Sequence, residues 1–202
     1  MAIRPRDAPD DRHAADPPSD WVRRFAPLVR PAGSVLDLAC GSGRHSRLFL
    51  ALGHPVTAVD RAPERLAELG ALPGAELVEA DLEAGPWPLA QRRFAAVVVT
   101  NYLFRPLFPA LLAALEPGGV LIYETFARGN ARFGRPANPD HLLAPGELLE
   151  CVRGRLHVVA YEHGIVTAPR QAALERIAAV NRPADPDGLS KLPPPPDAHD
   201  AR

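Results

Sequence analysis

The sequence predicts an α/β fold in which short apolar strands alternate with helices around one largely parallel sheet. Three observations predict it. Val35-Leu36-Asp37-Leu38 runs directly into a glycine turn, Gly41-Ser42-Gly43, and then into a helical stretch from Arg44 to Leu52. Two further apolar runs end in an acid, Asp60 and Asp81. Finally, Phe94 to Thr100 is almost wholly apolar, as a strand buried on both faces requires, and Pro117-Gly118-Gly119 punctuates the chain before Val120 to Thr125.

Composition fits one domain. The chain has 202 residues, 47% of them hydrophobic, with a formal net charge of -1 and a pI near 6.7. That neutral balance argues against a broad basic surface for nucleic acid. No apolar run reaches membrane-spanning length and the N-terminus lacks a secretory pattern, so a cytoplasmic location is expected. Cys40 and Cys151 have no metal-ligand spacing, and no metal is expected. Residues 1–18 read as a disordered leader, 19–180 as the domain, and 181–202 as a disordered tail with a run of four prolines.

Taken in order, Ser19 is a helix cap, followed by Trp21, Val22, Phe25 and Leu28 at near-helical spacing until Pro31. At the glycine turn, Gly41 and Gly43 permit positive φ and let a ligand lie against bare backbone. Asp37 restricts that ligand, because a carboxylate repels a pyrophosphate and attracts a cation. The dinucleotide fingerprint is incomplete, with Ser46 in place of its third glycine, and no Lys-Ser or Lys-Thr completes a phosphate loop. Pro55 to Asp60 is a second strand whose terminal acid suits a ribose diol, with Arg61 beside it to flank a base. Pro63, Leu66, Leu69 and Gly70 mark a helix. Glu76 to Leu82 is the third strand, Phe94 to Asn101 the fourth, Leu107 to Leu115 a helix, and Val120 to Thr125 the fifth strand.

Phe126 to Ala144 is longer than a connection needs to be and carries Arg128, Arg132, Phe133, Arg135 and His141, which suits a lid over an anionic substrate. A short helix follows Pro145, then a sixth strand from Leu156 to His163. Ala172 to Val180 has helical composition by local propensity.

The motif around Asp37, with the acids at the next strand ends and the Pro-Gly-Gly before the fifth strand, resembles the class I S-adenosylmethionine-dependent methyltransferases. Within them it is most similar to small bacterial enzymes of the tellurite-resistance-like group. The resemblance implies a Rossmann-like, doubly wound, seven-stranded sheet, parallel except for a C-terminal antiparallel hairpin strand, so Ala172 to Val180 is expected to be a strand. It implies S-adenosylmethionine as cofactor, held by Asp37, Ala39 (in place of the motif's first glycine), Gly41, Gly43, Arg44, Asp60, Arg61, Asp81, Leu82 and Asn101. Trp21, on a helix folded over the cleft, would also contact the cofactor. Tyr102, Arg128, Arg132, Phe133 and Arg135 would face a small-molecule substrate, and His45, Tyr102 and His141 are the candidates if a base is used. The expected chemistry is in-line methyl transfer to a small, anionic or soft nucleophile. RNA or protein methylation, and cofactor binding without turnover, remain the alternative readings.

Overall fold

The computed structural model describes residues 17–62, 69–182 and 192–194. The expected leader and tail therefore lie largely outside the described residues, as do Pro63 and Leu66 of the expected second helix. Seven strands are present: β1 (Val35–Leu38), β2 (Val56–Asp60), β3 (Ala75–Glu79), β4 (Phe94–Thr100), β5 (Leu115–Phe126), β6 (His157–Val166) and β7 (Ala172–Val180). Four α-helices with both ends among the described residues accompany them: α1 (Asp20–Phe25), α2 (Arg44–Ala51), α3 (Phe108–Ala113) and α4 (Glu147–Val152). The sheet order is β3-β2-β1-β4-β5-β7-β6, parallel except for β7, which runs antiparallel to both its neighbours.

Side-chain alternation explains the layers. Along each strand the odd and even residues face opposite sides of the sheet. Val35, Val56, Ala58, Ala96, Val98, Val120, Ile122 and Ala178 pack with Trp21, Val22 and Phe25 of α1 and Phe49 of α2. Leu36, Leu38, Val97, Val99, Leu121 and Tyr123 pack on the opposite face with Leu111 and Leu112 of α3 and Leu148 and Val152 of α4. Both faces of the central strands are thus covered, and their free ends point toward the cleft edge.

Some element boundaries differ from those expected. β3 stops at Glu79, so Asp81 lies in the loop beyond it, where its Oδ1 accepts from the N–H groups of Glu83 (2.9 Å) and Ala84 (3.2 Å). The helix before β5 ends at Ala113 because β5 begins early: Leu115 pairs with Phe94, the register shifts, and Ala96 then pairs with Val120. Pro117 to Gly119 therefore forms an irregularity within the strand rather than a turn ahead of it. Helical propensity loses at Ala172–Val180, because β5 and β6 satisfy its backbone on both sides and its alanines fit a position covered on both faces.

The long segment after β5 is tied down. Ala127 bridges Leu143, and two 3-10 turns, Asn130–Arg132 and Pro139–His141, shape the span between them. Buried Asn130 donates to the Pro136 carbonyl (3.1 Å) and accepts from the Ala173 N–H (3.1 Å). Arg105, which the sequence reading passed over, donates to both carboxylate oxygens of Glu147 (2.6 and 3.0 Å) and to the carbonyls of Asp140 (2.7 Å) and Leu142 (3.0 Å). No helix among the described residues is long and apolar enough to cross a membrane.

Glu175 on β7 is fully buried and accepts from the N–H groups of Gly146 (2.9 Å) and Leu148 (2.7 Å), which caps α4 from the sheet. Glu175→Gln replaces one acceptor with a donor facing an N–H. It should lower stability by about 1–3 kcal/mol, read as a lower urea midpoint at unchanged slope.

Candidate functional site

The turn from β1 to α2 is the centre of the site. Ala39, Gly41 and Gly43 have φ of 52, 56 and 76°. A Cβ at Gly43 would also meet the Leu69 Cδ2 methyl at 2.9 Å, which would have to shift. Asp37 shares its sheet face with Val35, which directs its carboxylate beneath α2. There it accepts from the Ser46 hydroxyl at 2.6 Å and is 1% exposed. The Ser46 N–H also bonds to it, so Asp37 caps the first turn of α2 from the strand. Burial pushes Asp37 up from 3.8 to about 6, against the lowering effect of its bonds to Ser46.

Asp60 occupies the same face at the tip of β2. Its Oδ2 accepts from the Gly41 N–H (2.8 Å) and its Oδ1 from the Ala62 N–H (3.1 Å), so it braces the glycine turn while remaining partly accessible. Arg61 is exposed beside it, and Leu82 is buried against Leu38 and Val59. Arg44 reaches back to the Pro17 carbonyl at 3.2 Å. Asn101, at the tip of β4, is exposed with φ 54°, and its N–H donates to the Glu124 carbonyl at 3.0 Å. Non-glycine residues in the left-handed region thus stand at the tips of the two central strands, Ala39 after β1 and Asn101 after β4.

A row of polar side chains crosses the sheet next to this turn. Thr100 pairs in register with Glu124, Glu124 with Arg176, and Arg176 with Glu162. Ser19 joins α1 to that row: its hydroxyl donates to Glu124 (2.7 Å) and its N–H to His45 Nε2 (3.1 Å). Since Nε2 accepts, Nδ1 carries the ring proton and faces Thr100 Oγ1 at 3.3 Å. Burial pushes His45 down to about 3, with Arg44 adding to the effect, so the ring is neutral. Both nitrogens are engaged within the protein, which removes His45 from the candidate bases.

Trp21 is also placed differently from the expectation. It is 2% exposed, donates from Nε1 to the Ile177 carbonyl (3.2 Å), lies 4.5 Å from the Phe25 ring and is covered by the Arg176 guanidinium at 4.8 Å. It is a core residue that seats α1, and Ser19 is the residue of this region that reaches the site.

Tyr102 follows Asn101 and is partly buried against the core on the α3 and α4 face of the sheet. Its carbonyl accepts from the Tyr123 hydroxyl at 2.8 Å, and burial keeps its own phenol well above the usual range. Beyond it, a cleft of about 360 Å³ is formed by Leu103 to Pro106, by Asn138, Asp140 and His141, and by Glu83. His141 is thus at the cleft. Arg128, Arg132 and Arg135 are exposed and do not line it; Arg132 folds over Phe133 (5.4 Å) and onto the Gly129 carbonyl (3.3 Å). The structure therefore brings together Asp37, Ala39, Gly41, Gly43, Asp60, Arg61, Asp81 and Tyr102, and leaves the arginine group to one side. The sequence reading missed Ser46, Glu124 and Arg105. For Glu124 a signal was present, since it is one more acid near a strand end.

Strand order, glycine turn and acids at three neighbouring strand ends are those of the class I S-adenosylmethionine-dependent methyltransferase fold. Residues 35–119 match the family model described as "Methyltransferase domain". It is 34% identical over 124 residues to trans-aconitate 2-methyltransferase of Rhizobium meliloti (strain 1021), covering 59% of this chain and 43% of that protein. To malonyl-[acyl-carrier protein] O-methyltransferase of Serratia marcescens it is 31% identical over 160 residues, covering 69% and 57%. The chain spans about half the length of these curated relatives. In fold it is similar to TehB from Haemophilus influenzae, with a TM-score of 0.66 at 20% identity over 79% of this chain and 61% of that one.

Because the folded state raises Asp37 above its unfolded value, it binds that proton more tightly than the unfolded chain does. Its contribution to stability is present below about pH 4 and lost as pH rises through about 6. Asp37→Asn keeps an acceptor for Ser46 and removes the titration. Between pH 4 and 8 the variant should gain up to about 3 kcal/mol on the parent, measured as the difference of urea unfolding free energies at the two pH values.

Proposed function

We propose that the protein transfers a methyl group from S-adenosylmethionine to a small molecule. The observation that carries this is the placement of Asp37, Asp60 and Asp81 at or just beyond the carboxyl ends of three adjacent parallel strands around a glycine turn. A net-acidic groove suits a ligand bearing a sulfonium and an ammonium and repels phosphates. Ala39, Gly41 and Gly43 would give close backbone approach, and Arg44 would meet the cofactor's carboxylate. Asp60 would hold the ribose, Arg61 would flank the adenine, and Asp81 and Leu82 would stand at its far end. Asn101 would border the reacting centre. When bound, the cofactor supplies an electrophilic methyl group.

The chain's own contribution is placement and partial desolvation, since charge is lost when a sulfonium meets an anion. The acceptor would enter by the cleft between the Leu103 to Pro106 segment and His141. Of the candidate bases, His45 uses both ring nitrogens and burial holds the proton on Tyr102, which leaves His141 at the cleft; an anionic or soft nucleophile would need no base. The two relatives are named for trans-aconitate and malonyl-[acyl-carrier protein], both carboxylate-bearing acceptors.

S-adenosylhomocysteine at a hundred times its dissociation constant should add about 2.7 kcal/mol of stability, seen as a rise in Tm, whereas NADH should add none. Stabilisation by NADH alone would overturn the assignment. Asp60→Ala should weaken binding of the same ligand by about 1.5–3 kcal/mol in calorimetry, with part of the loss coming from the unbraced Gly41 turn.

A further inference from the structure

The described residues contain few buried polar side-chain atoms without a partner, and the Tyr102 hydroxyl is one of them. A buried hydroxyl with nothing to bond is costly, and native structures keep one only where something else completes it. Its position says what that is. Tyr102 begins at the tip of β4, yet the charges that act on its hydroxyl are those of Glu83, Asp81, Arg61 and Asp60, beyond the ends of β2 and β3. Since β1 lies between β4 and β2 in the sheet, the hydroxyl is directed to the β2 and β3 side of the groove. Its ring is partly buried against the core on the α3 and α4 face of the sheet, and its carbonyl is fixed by the Tyr123 hydroxyl.

We propose that the Tyr102 hydroxyl is a ligand-reading donor, whose partner is a neutral nitrogen or oxygen of the cofactor's nucleoside. The inference rests on the cofactor reading above and adds to it a residue that selects among adenosine-bearing ligands. The electrostatic setting fixes the polarity of the contact. Three carboxylates against one guanidinium disfavour a phosphate or carboxylate at that point, while a protonated phenol can donate to an uncharged lone pair. Such a site accepts an unphosphorylated nucleoside and rejects nucleotides.

The test compares the wild-type chain with Tyr102→Phe, which removes one atom and keeps the ring. Unliganded, the variant should have an equal or higher Tm, because it loses an unsatisfied hydroxyl. Its affinity for S-adenosylhomocysteine should fall about three- to tenfold in calorimetry, the loss expected for one neutral hydrogen bond. Deaza-adenine and deoxyribose analogues of S-adenosylhomocysteine, titrated against both chains, identify the acceptor: one analogue should weaken binding to wild type and cost nothing further in Tyr102→Phe. Unchanged affinity in the variant overturns the proposal. So does a lower unliganded Tm, which would place the hydroxyl's partner within the protein or a trapped water. If wild type fails to bind S-adenosylhomocysteine at all, the cofactor reading itself falls, and the two failures are distinguishable.

Discussion

Between Leu38 and Arg44 the chain must end a buried strand, reverse, and begin a helix whose first turn sits over a buried carboxylate. The dimensions of the cleft follow from that constraint. Asp37 is out of water, with Ser46 as its bonded neighbour, and Asp60 reaches from the next strand to hold the Gly41 N–H. Neither acid can move without loosening the turn, and the left-handed φ at Gly41 and Gly43 strains any residue with a side chain there. Groove shape and groove charge are therefore set by the same few atoms.

The second layer of order is the alternation of the strands. Asp37, Asp60, Thr100, Glu124 and Arg176 share one face because each lies an even number of residues from an apolar neighbour in the α1–α2 layer: Val35, Ala58, Val98, Ile122 and Ala178. At the carboxyl edge of the sheet that face changes from apolar to polar within one step. α1 straddles the change. Val22 and Phe25 enter the apolar part, while Ser19 bonds Glu124 and His45, and Arg176 lies over the Trp21 ring at 4.8 Å. Partly buried pairs of this kind add modest stability but fix the seating of the helix, and so the position of Ser19.

Much of this was legible in the sequence because strands buried on both faces leave continuous apolar runs, and an acid closing such a run is conspicuous. Val35 to Leu38, Val56 to Asp60 and Phe94 to Thr100 all read this way. What was not legible depends on partners far away in the chain. Arg105 looks like any arginine after a strand until Asp140, Leu142 and Glu147 are brought around it. Ala172 to Val180 has helical composition, and its strand was legible only through the family resemblance. The three loop arginines drew attention by composition, yet residue type alone does not say which way a loop turns, and the cleft took Asn138, Asp140 and His141 instead. Trp21 shows the same limit, since a ring near a cleft and a ring beneath a helix have identical local sequence.

The seating of α1 also sets an order of assembly. Trp21 bonds the carbonyl of Ile177, 156 residues further on, and Ser19 bonds Glu124, 105 residues on. Both partners emerge from a ribosome long after the N-terminal helix has been made, and β7 must take its place between β5 and β6 before Ile177 is fixed. The glycine turn with β1, β2 and β4 can form from the first half of the chain alone. α1 therefore reaches its seat only once β7, which lies far beyond it in the chain, is in place.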